Sequence, residues 1–395
     1  MTVERSARAP LIGIVAGEAS GDLLGAGFIE AVRSRWPDAQ FVGIGGPKML
    51  AAGIHSLFDQ EMLAVRGYVE VVRRLPALLR IRRQLAHHFL RHRPEVFVGV
   101  DAPDFNLTLE RRLRAAGIPT LHYVSPSIWA WRGGRIRGIG RAADRVLALF
   151  PMEPPLYEKA GIPVSFVGHP LASRLPRVPD TAGARRALRI EAQRTPLVAL
   201  MPGSRMAEVE HLALLFIRAA ERLLARHPDA YFLVPLATRP TFDRFDHLLR
   251  THAAHPERFQ IMFGHAHQAL EACDAALIAS GTATLEAALL KKPMVISYRM
   301  PWLSYQLMRG RGYLPWVGLP NILAGREIVP ELLQSAATEE SLAAALEVQL
   351  NNPAAAEQRA AFDEMHTALQ ADTTAAIVDA LAPVLDRVVS AGDAA

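Results

Sequence analysis

Short apolar runs recur along the chain, separated by stretches long enough to hold a helix. In the first half they are Leu11 to Ala16, Phe41 to Ile44, Val96 to Val100, Thr120 to Val124, Val146 to Phe150 and Val164 to Val167. These runs have strand length and alternate with helical spacing, so they predict buried strands. A second series starts at Leu197 and continues through Tyr231 to Pro235, Ala275 to Ile278 and Met294 to Ser297. Strand and helix in alternation predict parallel sheets covered by helices on both faces. Between the two series, His169 to Asp180 contains Pro170, Pro176 and Pro179 and predicts a domain junction. The organisation expected is therefore a doubly wound domain over 1–175, a second over 176–355, and C-terminal helices over 356–395. After Pro330 the chain turns Ala-rich, and Leu342, Leu346, Ile377 and Leu381 predict helices that pack back on the first domain or on a partner subunit. Two such domains in tandem would bind ligands in a cleft between the carboxyl ends of their strands.

At 395 residues, half of them hydrophobic and 21% charged, the chain has the composition of a folded protein rather than a disordered one. The single Cys273 excludes an internal disulfide and a cysteine-based zinc site, which suits a reducing compartment. The opening MTVERSARAP lacks the apolar core of a signal peptide, and a soluble cytoplasmic protein is expected. A net charge of +5 admits an acidic partner, whether nucleic acid, anionic lipid or a phosphorylated substrate, without choosing among them.

The most informative stretch is Leu197 to Glu210, LVALMPGSRMAEVE. It reads as a buried strand, an abrupt turn and a helix starting at Met206, the outline of a phosphate cradle. Gly203 lets backbone approach a ligand, Ser204 is placed to cap the helix, the free amides at the helix start carry partial positive charge, and Arg205 adds a full one. Ala279 to Leu290 repeats the device: Ser280, Gly281 and Thr282 open a helix, and Glu286, one turn on, is suited to accept hydrogen bonds from ribose hydroxyls. Two amide-rich turns and a carboxylate point to a nucleoside diphosphate. In the first half, VFVGVDAPDFN sets Asp101 directly after a strand, the position of a general base, while Asp104 is expected to cap a helix from Phe105.

Other motifs are weaker. Leu11 to Glu30 is a strand, a Gly-rich loop and a helix that matches neither the P-loop nor the dinucleotide fingerprint. No Asp-x-Asp pair occurs anywhere, so the usual carboxylate bridge to a metal on a sugar nucleotide is missing and a metal-free mechanism is expected. His88 and His92 read as a solvated pair. Met62 to Arg93 carries eight arginines against Glu70 alone, with leucines at helical spacing. That pattern fits a helix on an anionic membrane surface and equally a solvated amphipathic helix. Trp302 to Trp316 mixes aromatics with Arg309 and Arg311, a combination found beside ligands and on single-stranded nucleic acid.

The blocks GEASGDLLGAG (Gly17 to Gly27), GVDAPDFN (Gly99 to Asn106), HYVSPSIWAW (His122 to Trp131), FVGHPL (Phe166 to Leu171), LMPGSRMAEV (Leu200 to Val209), ASGTATLE (Ala279 to Glu286) and LPNILAGRE (Leu319 to Glu327) together resemble bacterial lipid-A-disaccharide synthases, in the family's order, over about residues 11 to 385. The resemblance implies a GT-B fold of two Rossmann-like domains facing across a cleft. It implies an inverting glucosaminyl transfer that uses neither metal nor cofactor. The donor would be UDP-2,3-diacylglucosamine and the acceptor 2,3-diacylglucosamine 1-phosphate.

On this resemblance Asp101 is the base, Gly203, Ser204 and Arg205 bind the diphosphate, Ser280, Gly281, Thr282 and Asn321 complete the donor site, and Glu286 meets the ribose. Glu18, Ser20 and Asp22 fall on the acceptor side. Arg73, Arg74, Leu78, Leu79 and Arg82 would meet the anionic inner leaflet, making the protein peripheral on the inner membrane, and a homodimer would exchange its C-terminal elements. No nucleic-acid partner is implied. Two readings compete: another UDP-N-acetylglucosamine enzyme of the same fold, such as a 2-epimerase or a lipid-carrier glucosaminyltransferase, and a basic module that binds RNA or membrane without chemistry.

Overall fold

The structure, a computed structural model, describes residues 9–63, 68–129, 133–191, 194–300 and 314–393. Arg66, Trp131, the span from Trp302 to Tyr313 and the side chains of Arg73 and Arg74 lie outside the described residues. The chain divides into two compact units, 1–170 with 369–395, and 171–368.

The first unit holds a seven-stranded sheet in the order β3-β2-β1-β4-β5-β6-β7. Its strands are β1 (Leu11–Ala16), β2 (Gln40–Ile44), β3 (Ile54–Ser56), β4 (Val96–Val100), β5 (Thr120–Tyr123), β6 (Arg145–Ala148) and β7 (Val164–Phe166). The second unit holds a six-stranded sheet in the order β10-β9-β8-β11-β12-β13. These are β8 (Leu197–Met201), β9 (Tyr231–Leu236), β10 (Phe259–Phe263), β11 (Ala275–Ala279), β12 (Met294–Tyr298) and β13 (Glu331–Leu333). All pairings are parallel. The central strands are uninterrupted apolar runs because both of their faces are buried, as the sequence pattern implies.

Three strands escape the sequence pattern, namely β3, β10 and β13. Each runs at or near a sheet edge and is only partly enclosed, so none shows a full apolar run. The expectation of helix directly after Pro330 is corrected by β13, which pairs with β12 before the helical stretch begins at Glu339.

Helix Thr373–Asp393 completes the first unit by packing on helix Ala19–Arg35, with Ile377, Leu381 and Leu385 fully buried among Phe28, Ile29 and Val32. Burying three such side chains is worth about 4–9 kcal/mol as an upper estimate. The accompanying pair Arg35–Asp386, both partners over 40% exposed, is worth about 0–1 kcal/mol, so the apolar stripe anchors the helix. Helix Asn352–Leu369 instead serves the second unit: the Gln358 side chain accepts from Met294 N at 3.0 Å, and His366 Nε2 lies 2.8 Å from the Ala172 carbonyl.

Candidate active site

In each unit the strand order reverses direction at one place, between β1 and β4 and between β8 and β11. At such switch points the loops leave the sheet in opposite directions and open a crevice at the strands' carboxyl ends. The expected site residues cluster there.

In the first unit the loops after β1 and β4 touch: a Cβ on Gly17 would stand 3.1 Å from the Ala102 side chain. Glu18 and Ser20 are exposed at the start of helix Ala19–Arg35. Asp22 is different. It is 3% exposed, and its carboxylate accepts from the backbone N–H groups of Gly46, Lys48 and Met49 at 2.9–3.0 Å. It therefore braces the turn after β2 and does not face a ligand.

Asp101 and Ala102 occupy the left-handed region, with φ of 53° and 43°. For side chains other than Gly that backbone costs about 1–3 kcal/mol per residue and clusters at functional sites. The helix cap expected at Asp104 is not formed. Helix Pro103–Ala115 begins at Pro103, whose ring presets the helical φ and which has no N–H to satisfy, and Asp104 points outward to pair with Arg135. Among the described residues no hydrogen bond or ion pair occupies the Asp101 carboxylate.

Two buried carboxyl groups lie near this edge, and local periodicity gives no sign of either. Glu110, fully enclosed, sits 2.7 Å from His122 Nδ1. Burial pushes its pKa up and the histidine opposes that. Glu153 receives N–H groups from Leu149, Phe150 and the Trp129 indole, yet burial still carries its pKa to about 7. A signal was available only for Glu153, a lone charge within the apolar segment FPMEPPLY; Glu110 is masked by the adjacent Arg111 and Arg112.

In the second unit the turn after β8 takes the expected form, with Gly203 at φ 122° and helix Met206–Leu224 beyond it. Ser204 is not its cap; the cap position falls to Arg205. The amides of Ser204 and Arg205 both donate to Glu208 Oε2, at 2.9 and 3.2 Å, and Arg205 Nη1 lies 3.1 Å from Glu208 Oε1. The Glu208 carboxylate thus closes a capping box at the helix start, on the amides where the sequence reading expects a phosphate. Glu208 was legible as the acidic residue three positions after the helix cap.

After β11, Gly281 and Thr282 are exposed at the start of helix Thr282–Leu289, and Ser280 Oγ donates to the Val317 carbonyl at 3.0 Å. Glu286 lies 3.2 Å from His267 Nδ1, a neighbour that sequence reading missed. Asn321 is fully buried and fully engaged. Its amide donates to the Val329 carbonyl and to Glu331, and its oxygen accepts from Ile328 and Val329 N–H, all at 2.8–2.9 Å. It staples the loop before β13 and has no group left for a ligand. Asn321→Ala should therefore lower the unfolding free energy of the protein by about 2–4 kcal/mol, since buried donors and an acceptor lose their partners. Denaturant titration checks this, and a change below about 1 kcal/mol would contradict the staple role.

In the basic helix Tyr68–His92, Ile81, Leu85 and Phe89 are buried against the sheet, Leu78 and Leu79 are half-buried, and the Arg82 guanidinium lies 5.9 Å from the Phe105 ring centre. His88 and His92 stack with ring centres 4.1 Å apart. Among the described residues no group of three or more His, Cys, Asp or Glu is placed to hold a metal ion.

Two doubly wound parallel sheets, each with its loops gathered at a switch point, define the chain as a GT-B fold protein. Solved structures agree on the fold. UDP-GlcNAc 2-epimerase from Neisseria meningitidis, in a structure bound to UDP-GlcNAc, superposes with a TM-score of 0.62 at 12% identity, covering 95% of this chain and 100% of that one. MurG from Acinetobacter baumannii superposes with a TM-score of 0.55 at 16% identity, covering 95% and 99%.

Sequence comparison carries the assignment further. The chain belongs to the lipid-A-disaccharide synthetase family, whose model matches residues 12–380, and is a glycosyltransferase of lipid A biosynthesis. It is 56% identical over 365 residues to the lipid-A-disaccharide synthase of Methylobacillus flagellatus, covering 92% of this chain and 96% of the relative. It is 54% identical over 377 residues to that of Aromatoleum aromaticum, covering 95% and 96%.

Proposed function

We propose that the chain transfers 2,3-diacylglucosamine from UDP-2,3-diacylglucosamine to the 6-hydroxyl of 2,3-diacylglucosamine 1-phosphate, with inversion and without a metal ion. The observation that supports this most is the cradle at Gly203, Ser204 and Arg205, whose amides and guanidinium already hold a carboxylate. The donor diphosphate takes the place of that carboxylate, while Ser280, Gly281, Thr282 and Glu286 flank the nucleoside. Asp101 accepts the proton of the acceptor hydroxyl as that oxygen bonds to the anomeric carbon. The bond from that carbon to UDP breaks on the opposite face, and the charge released is stabilised by preorganised donors. Asn321 and Asp22 support their loops and do not touch substrate; Glu18 and Ser20 remain on the acceptor side.

The basic helix that includes Arg73, Arg74, Leu78, Leu79 and Arg82 brings the protein to an anionic membrane surface, where both acylated substrates reside. Helix Thr373–Asp393 is the element through which a second copy would exchange its C-terminus.

A single transfer assay with radiolabelled acceptor tests this reading. Turnover is expected with acylated donor and not with UDP-N-acetylglucosamine, to persist in excess chelator, and to be faster when the acceptor is carried in anionic rather than neutral vesicles. Equal use of the unacylated donor would favour the epimerase or lipid-carrier reading. Strict dependence on magnesium would remove the metal-free mechanism, and indifference to vesicle charge would remove the membrane role. Tight salt-sensitive RNA binding with no UDP affinity would favour a binding module.

A further inference from the structure

The backbone of Asp101 is held from both sides. Its N–H donates to the Tyr123 carbonyl at 2.8 Å, and its carbonyl accepts from Asn106 Nδ2 at 2.9 Å. These two holders are themselves connected. Asn106 and Glu110 lie one turn apart on helix Pro103–Ala115, His122 and Tyr123 are consecutive on β5, and Glu110 Oε1 meets His122 Nδ1 at 2.7 Å. Three hydrogen bonds and two chain links, the helical turn from Asn106 to Glu110 and the peptide between His122 and Tyr123, thus form a ring that runs from the Asp101 carbonyl back to the Asp101 amide. Asn106 Nδ2 also reaches the carbonyls of Val15 and Val100 at 3.2 and 3.3 Å, tying the ends of β1 and β4 to the same point.

The ring occupies space that Gly99 leaves open. Gly99 pairs with His122 across the sheet, and a Cβ there would stand 2.0 Å from Glu110 Oε1 and 2.8 Å from Asn106 Cβ. The arrangement is also costly. Among the described residues Asn106 Oδ1, Glu110 Oε2 and His122 Nε2 have no partner although all three side chains are fully buried. Each such atom gives up its hydration without compensation, and an apolar trio of similar volume would avoid the loss. Burial of this kind next to a strained elbow is accounted for if the ring maintains that elbow.

We propose that Asn106, Glu110 and His122 are positioning residues for the transfer reaction, holding the Asp101 peptide in its left-handed conformation so that the carboxylate stays aligned with the acceptor hydroxyl. This rests on the reading of Asp101 as the base. A displacement near 1 Å at a reacting group costs about 100-fold in rate.

The test uses the full-length enzyme, with kcat and KM for both substrates, UDP affinity by calorimetry and Tm measured for each variant. Asn106→Ala is expected to lower kcat about 100-fold while KM and UDP affinity stay within about twofold. In an Asp101→Ala background the same change should add nothing, because the group it positions is gone. The double variant Glu110→Leu with His122→Leu should lower kcat while Tm holds or rises, opposite to what a merely structural pair would do. Glu110→Gln, which keeps a hydrogen bond to His122, should recover most of the kcat lost in Glu110→Leu.

Wild-type kcat in Asn106→Ala or in the leucine double variant overturns the proposal, and so does an Asn106→Ala loss that adds in full to that of Asp101→Ala. If Asn106→Ala does not fold, the leucine double variant and the glutamine rescue decide. Undiminished turnover in Asp101→Ala alone would instead remove the base reading, a result separable from all of these.

Discussion

Asp101→Ala is expected to lower kcat for disaccharide formation by about 10²–10⁴-fold, the range that a positioned general base contributes, while leaving UDP affinity within about twofold. Asp101 directly follows β4 in the first unit, with its backbone held by Tyr123 and Asn106, whereas the proposed diphosphate turn follows β8 in the second unit. On the proposed mechanism, removing the carboxylate leaves the diphosphate contacts intact and takes away only the acceptor for the hydroxyl proton. Asp101→Asn keeps the shape and loses the basicity, so it should be nearly as slow as the alanine variant. The comparison separates proton transfer from packing. Turnover of the asparagine variant near the wild-type rate would show that shape, not basicity, matters at this position.

Arg205→Ala should reduce kcat by about 10²–10³-fold, the loss typical of removing one donor to developing negative charge, and should weaken inhibition by UDP in parallel. Stability should barely change. The Arg205 side chain is 78% exposed, and its pair with Glu208 is a surface ion pair worth about 0–1 kcal/mol. A large functional loss with little thermal shift is what separates a ligand-binding cation from a structural one. Arg205→Lys should restore only part of the rate, because an ammonium lacks the planar fork that meets two phosphate oxygens at once. If Arg205→Ala leaves both kcat and UDP inhibition unchanged, the turn after β8 does not hold the diphosphate.

Glu208 bears on the same experiment. Its carboxylate occupies the Ser204 and Arg205 amides, so on the proposed mechanism the diphosphate displaces it to use them, which lowers the net affinity of the turn. The two switch points also differ in what their loops can do. The β8 and β11 turns offer amides and hydroxyls, while the β1 and β4 loops offer carboxylates, which fits a division between donor and acceptor.

The strands at the centre of both sheets were legible in the sequence, because a strand buried on both faces must be apolar along its whole length, as at Val96–Val100 and Leu197–Met201. The PGSR turn and the strand-end place of Asp101 were legible for the same local reason, since turn chemistry and position after an apolar run are read from neighbours in the chain. Three of the four edge strands, Ile54–Ser56, Phe259–Phe263 and Glu331–Leu333, were not, as half-covered strands carry a weaker signature; the fourth, Val164–Phe166, was legible because its apolar run continues to Val167.

What the tertiary structure alone decided is the partnership of residues distant in sequence. Asp22 caps the turn at Gly46, Asn321 is consumed by the segment from Ile328 to Glu331, and Glu110 meets His122 beneath Asp101. A hydrophobic period records which face of an element is buried. It does not record which polar atom waits on that face, and that depends on strand order and register, set by packing across the whole sheet.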